Sequence, residues 1–237
     1  MKDIKIGIIV ADVEEYEPFA ERVEKGEYEK YSFLGRKGHK FNVTTKNGRA
    51  EVISVLSGIG KVNATAVASH LLTVGCGIIL NYGLSGGISG IRRGELTLAD
   101  RFVEHDFDLS GIGYKLCEKP NQEYIYSSDQ GLNNLMRETV SGIKLGTAVT
   151  GDSFICDDEV KNRLKENFGA MSCDMETAAI AYVCAFGGVP FMSLRRISDD
   201  AGDDAIDSYR EMIFQNKIEL SDIIYNFLTT IIDKYEI

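Results

Sequence analysis

Carboxylates recur directly after short apolar runs in this sequence. Asp12, Glu14 and Glu15 follow "IKIGIIVA", Asp152 follows "LGTAV", and Asp199 and Asp200 close "FMSLRRISDD". Asp174 and Glu176 stand together in "CDMETAAIA", ahead of a helix-favouring run. If the apolar runs are strands of an open α/β sheet, their C-terminal ends form the edge where ligands bind. A plainer account is that acids gather at helix N-termini, where the dipole and free N–H groups stabilise each by about 0.3–1 kcal/mol. Taken together, with only 3 histidines in the chain, they describe a site lined by acids. Such a site suits an uncharged substrate, or one that becomes cationic during reaction.

Other chemistries fit less well. "GLSGG" (83–87) has the G-x-S-x-G form of a serine-hydrolase elbow, with Ser85 as nucleophile. The helix that should follow is absent, because Gly90 and Gly94 break the next segment, and no histidine lies beyond His105 to complete a triad. The same glycines lack the lysine and hydroxyl of a phosphate-binding loop. His39 and His70 have no partner at metal-ligand spacing, so a metal site is not expected.

The elements that must position the acids follow from periodicity. Ile4–Ala11 reads as a strand buried on both faces. The segment from Asp12 reads as a helix interrupted early by Pro18, and 40–57 as two strands around the Asn47-Gly48 hairpin signal. A helix spans "GIGKVNATAVASHLLTVG" and stops at Gly75; "GIILNYGLSGG" is a further buried strand running into a glycine loop. From about Tyr209 to Tyr235 one long amphipathic helix is expected, apolar at Met212, Ile213, Ile218, Leu220, Ile223, Ile224, Phe227 and Leu228.

With 237 residues, 44% hydrophobic and 3 prolines, and no linker or repeat, residues 1–237 read as a single three-layer α/β domain with a mixed sheet. A balance of 26 Lys and Arg against 36 Asp and Glu gives a net charge of −10, which disfavours nucleic acid and anionic membranes as partners. The 5 cysteines are scattered without a C-x-x-C pair, as in a reduced cytoplasmic protein, and no apolar stretch is long enough to span a membrane.

In order and spacing, "KIGIIVADVEE", "SGIGKVNA", "NYGLSGG", "GTAVTGDSFI", "DMETAAIAYVC" and "RRISDDAGDD" resemble the purine nucleoside and uridine phosphorylase superfamily. Within it they are most similar to the 5'-methylthioadenosine/S-adenosylhomocysteine nucleosidases. The resemblance covers nearly the whole chain. It implies a partly barrel-like central sheet flanked by helices, a nucleoside substrate, no cofactor, and a homodimer in which a neighbouring subunit completes the site. It also implies hydrolysis of the N-glycosidic bond of an adenine nucleoside, as in methionine salvage.

By the same resemblance Asp199 is the general acid at N7 of adenine, and Glu15 activates the attacking water. Glu176 holds the ribose hydroxyls with Met175 beside the sugar; Phe154 stacks on the purine and the backbone of Ile155 reads its edge. Arg195 lies near the water, and Ile59, Leu109, Ile112, Tyr114 and Tyr209 belong to the 5' pocket. Asp174 is left as the cap of the helix, with Glu176 in its first turn and ionised. An oxocarbenium-like sugar requires carboxylates nearby, and a protonated base leaves more easily, so these roles agree with the chemistry.

Two positions depart from the pattern. Leu84 stands where the family usually has a serine near the water, and Asp12 where a methionine contacts the 5'-thioether. Asp12 points to a polar or hydrogen-bonding 5' group rather than a plain alkylthio one, and adenosine, 5'-deoxyadenosine and 5'-methylthioadenosine all stay open as substrates. Phosphorylases of the superfamily hold phosphate with arginines, whereas here the first loop is "ADVEEYE" and the second position is Asn81. Hydrolysis is therefore expected over phosphorolysis; a non-catalytic nucleoside-binding or sensing protein is the other alternative, and retention of Glu15, Glu176 and Asp199 speaks against it.

Overall fold

The apolar run after the N-terminus forms a strand buried on both faces, and its alternation sets the layering. Ile6, Ile8 and Val10 point into one hydrophobic cluster while Ile9 points into another. The structure is a computed structural model describing residues 2–215 and 217–236; the side chains of 2, 213–215, 217 and 218 lie outside that description.

The first half of the chain runs β1 (Lys2–Val10), α1 (Val13–Val23), β2 (Tyr28–Phe33), β3 (Arg36–Thr44), β4 (Gly48–Leu56), α2 (Lys61–Thr73), β5 (Ile78–Gly87) and β6 (Leu96–Glu104). After a 3-10 turn at Ser110–Ile112 come β7 (Ile125–Ser127), α3 (Gln130–Thr139), β8 (Lys144–Thr150), α4 (Asp158–Phe168) and β9 (Ala170–Asp174). The chain ends with α5 (Thr177–Gly187), β10 (Phe191–Asp199), α6 (Ala205–Gln215) and α7 (Lys217–Lys234).

The sheet is mixed and closes on itself. β5, β10, β6, β8 and β9 each pair with the next, and β9 returns to β5 through Gly86 and Gly87. From β5 the sheet also extends outward through β1, β4, β3 and β2. β5 can serve both parts because its first residues pair with β1 on one edge, whereas its last residues turn to β9. Helices cover both faces: α7 packs Leu220, Ile224, Phe227 and Leu228 against β3, β4 and β5, and α2 and α5 pack Val67, Leu71, Ile180 and Cys184 on the other side. Each fully buried Leu, Ile or Phe contributes about 1.5–3 kcal/mol relative to exposure. Among the described residues no helix is long and apolar enough to cross a membrane.

Three sequence expectations need correction. α1 runs unbroken through Pro18, since burial of Tyr16, Phe19 and Val23 on its inner face outweighs the hydrogen bond that proline removes. The glycines of "GLSGG" lie inside β5 rather than in a loop. The C-terminal helical segment begins at Ala205, four residues before Tyr209, and is described as α6 and α7, with residue 216 between them outside the description. Met212, Leu220, Ile224, Phe227 and Leu228 are buried as their spacing predicts, and Ile223 is partly so; the side chains of Ile213 and Ile218 lie outside the described residues.

Candidate active site

The ends of β1, β5, β9 and β10 meet around a cavity of about 370 Å³. Its wall includes Glu15, Glu176, Asp199, Asp12 and Asp174, with Arg195 the basic residue among them. Each acid reaches it by a different local device.

Glu15 is in the first turn of α1, and its Oε1 accepts the N–H of Leu84 at 2.7 Å. Burial pushes its carboxyl up to about 8, against the opposing charge of Arg195. Asp199 ends β10, where Ser198 Oγ donates to Oδ2 at 2.6 Å and the Ala201 N–H to Oδ1 at 2.8 Å. Burial raises this carboxyl as well, against those two hydrogen bonds. A carboxyl held up by burial keeps a proton to donate.

Glu176 and Asp174 divide the end of β9 differently from the sequence reading. Asp174 Oδ1 accepts the N–H groups of Glu176 and Thr177 and the hydroxyl of Thr150, while Oδ2 accepts the Thr177 hydroxyl. It therefore satisfies the free donors at the start of α5. Glu176 occupies the cap position itself, before the first turn, with its side chain turned away from the helix. Its Oε1 accepts the Gly60 N–H at 2.9 Å and its Oε2 lies 3.6 Å from Arg195 Nη2. Burial raises its pKa, opposed by the charge of Arg195 and by the backbone N–H groups of Gly60 and Met175.

Arg195 uses three of its five N–H groups inside the protein. Nε donates to Ser193 Oγ, Nη1 to the Leu84 carbonyl at 3.1 Å and Nη2 to Asn81 Oδ1 at 2.7 Å. Asn81 is in turn fixed by its own donation to the Ile9 carbonyl. A Cβ at Gly83 would stand 2.7 Å from both Arg195 Nη1 and Glu15 Oε2, so the two side chains approach over bare backbone.

The apolar wall is formed by Ile59, Leu84, Met175, Phe154 and Tyr209, with Phe154 and Tyr209 edge to face at 5.4 Å. Ile155 lines a smaller adjoining pocket, shared with Phe154, Met175 and Asp199. Leu109, Ile112 and Tyr114 do not line this cavity. They belong to the segment around the 3-10 turn, where Ile112 and Tyr114 are exposed.

Ser85 does line the cavity, yet it sits in a strand with no helix after it, which removes the hydrolase-elbow reading. Its buried hydroxyl has no hydrogen-bond partner among the described residues. Ser198 and Gly60 are not singled out by the sequence as site residues, and Asn81 only as the position where phosphorylases carry an arginine. The nearest signal was their position beside quoted blocks, since a serine or asparagine on a buried strand looks the same whether it packs or positions a carboxylate. Among the described residues no cluster of His, Cys, Asp or Glu is placed to hold a metal ion.

The model of the phosphorylase superfamily matches residues 5–232. The chain belongs to that superfamily. An aminodeoxyfutalosine nucleosidase of Campylobacter jejuni is 33% identical over 226 residues, 90% of this chain and 93% of that protein. A 5'-methylthioadenosine/S-adenosylhomocysteine nucleosidase of Staphylococcus carnosus is 35% identical over 76% of this chain and 82% of its own length. Among solved structures, the Helicobacter pylori 5'-methylthioadenosine/S-adenosylhomocysteine nucleosidase has a TM-score of 0.88 and 30% identity, covering 96% of this chain and 98% of that one. It was solved with an aminopyrrolopyrimidine joined through a pyrrolidinol to an alkynylthio group.

Proposed function

We propose that this protein hydrolyses the N-glycosidic bond of an adenine nucleoside, releasing adenine and a ribose derivative. Its relatives make it an enzyme of the nucleosidase class. The observation that carries the finer reading is the geometry around Arg195. The guanidinium gives three of its N–H groups to Leu84, Asn81 and Ser193 and lies between two carboxyls, so the place beside the sugar offers a bound water an acceptor and leaves little of the cation for a phosphate.

Asp199 faces the pocket shared by Phe154 and Ile155, which suits a flat base. It donates its proton to N7 as the C1'–N9 bond breaks and the bonding electrons leave with adenine. Glu15 takes a proton from the water that attacks C1', and Glu176 accepts hydrogen bonds from the ribose hydroxyls. Met175 packs beside the sugar, and Phe154 covers the purine. The proton on Glu15 returns to Asp199 through solvent, so the balance is nucleoside plus water to adenine plus sugar. Neutralising the leaving base and positioning the water each contribute about 10²–10⁴ in rate.

The exposed side chains of Ile112, Tyr114 and Leu116 lie on a loop held near α2 by Lys61, whose Nζ is 2.6 Å from both Glu104 and Asp106. A second copy covering this loop brings Tyr114 to the rim of the site and makes the enzyme a homodimer; light scattering reads a mass of two chains if so, and one if not.

The reading is tested by adenine release from 5'-methylthioadenosine and adenosine, and hypoxanthine release from inosine, in phosphate-free buffer. Release of adenine supports it. Tight binding of every nucleoside without turnover identifies a sensor instead.

A further inference from the structure

The ladder between β10 and β5 slips at its last step. Ile197 pairs with Ser85 and Asp199 with Gly86, so Ser198 is the extra residue of a bulge. Successive side chains of a regular strand point to opposite faces. The bulge sets that alternation aside, and the Ser198 hydroxyl meets the carboxyl of its own neighbour, 2.6 Å from Asp199 Oδ2. The same hydroxyl lies 3.2 Å from the Ser85 carbonyl oxygen. Both Ser198 and Asp199 are buried, and a hydroxyl has one hydrogen to donate. Two acceptors therefore compete for it: a carbonyl that stays neutral, and a carboxyl whose charge changes as the base is protonated.

We propose that Ser198 is a positioning residue that serves the Ser85 carbonyl while Asp199 is protonated and turns its hydrogen onto Oδ2 as that proton leaves. This inference rests on the nucleosidase reading and deepens its account of the acid. In the step itself the Asp199 O–H bond breaks, an N7–H bond forms and the C1'–N9 electron pair passes to adenine; Ser198 keeps its own proton and only rotates its hydroxyl. A hydrogen bond to an ionised carboxylate is about twice as strong as one between neutral groups. The gain grows with the charge on Asp199, so it favours the transition state over bound substrate. The Ala201 N–H on Oδ1 is fixed by the backbone and serves both states. Cys173 and Asp174 from β9, Tyr209 from α6, Lys161 from α4 and the adjacent Asp200 are the other titratable groups around this carboxyl, and all are retained in a Ser198 variant.

The test titrates Asp199 directly, through the infrared carbonyl band of a protonated carboxyl that wild type shows and Asp199→Asn lacks, alongside the kinetics of adenine release from adenosine. In Ser198→Ala the ionised carboxylate loses a donor, so the midpoint of that band is expected to move to higher pH. kcat is expected to fall at least about tenfold, with KM changed by less than about threefold. A midpoint equal to that of wild type, or a wild-type kcat in Ser198→Ala, overturns the proposal while leaving hydrolysis intact. Absence of adenine release by the wild-type protein, with the midpoint still moved by Ser198→Ala, would instead overturn the nucleosidase reading and leave the link between Ser198 and Asp199 standing.

Discussion

Two carboxyls with the same burial problem are given different tasks by their neighbours. Asp199 is enclosed by Ser198 and Ala201 at the base pocket, whereas Glu15 shares Arg195 with Glu176 and takes the Leu84 N–H. Asp199→Asn keeps the shape and loses the proton, so adenine release is expected to fall about 10²–10⁴-fold with the melting temperature little changed. Wild-type turnover in that variant would remove Asp199 from the mechanism. Glu15 must be ionised to accept a proton, and its carboxyl is pushed up to about 8. kcat/KM is therefore expected to rise with pH towards about 8, with a limb that disappears in Glu15→Gln. The same residue has a stability signature. It holds its proton to about 8 in the fold, but only to the ordinary 4.5 when unfolded, so the wild type loses stability across that window as pH rises. Glu15→Gln should gain melting temperature relative to wild type from pH 4.5 to 8, and no further above it; parallel curves would show that Glu15 titrates normally.

Elements explain why such acids converge. β5 supplies the N–H for Glu15 and the carbonyl for Arg195 from Leu84, and its glycines let neighbours lie against the backbone. A Cβ at Gly86 would stand 2.9 Å from Cys173 Sγ and 3.1 Å from Asp199 Oδ1. Gly83→Ala is expected to push apart Glu15 and Arg195, lowering kcat/KM at least about 100-fold, with a loss of stability of about 1–3 kcal/mol from overpacking. Normal turnover by that variant would show that the contact is not needed. This strand also marks the boundary of what sequence conveys. Periodicity placed the strands and helices near their observed positions, and the blocks around Glu15, Glu176 and Asp199 placed the candidate residues that line the cavity. The glycines of "GLSGG" read as a loop because glycine is depleted in strands, and only the close approach of side chains from β10 and α1 explains why they remain strand. Asp174 and Glu176 were separable by role, but their exact places at the helix end depend on the Thr150 hydroxyl from β8, which no local pattern reveals.

At the scale of the molecule, closing β5, β10, β6, β8 and β9 into a ring brings residues far apart in sequence to one cavity. That closure depends on β5 pairing with β9 through two residues only, a long-range feature invisible to local spacing. A net charge of −10, together with an acid-lined cavity, makes an anionic co-substrate the partner this protein is least suited to hold. The central claim is that water, and not phosphate, attacks the sugar. Its most direct measurement is the sugar product formed from adenosine in saturating phosphate. The account predicts free ribose in equal amount to adenine and no sugar 1-phosphate; ribose 1-phosphate as the product would contradict it.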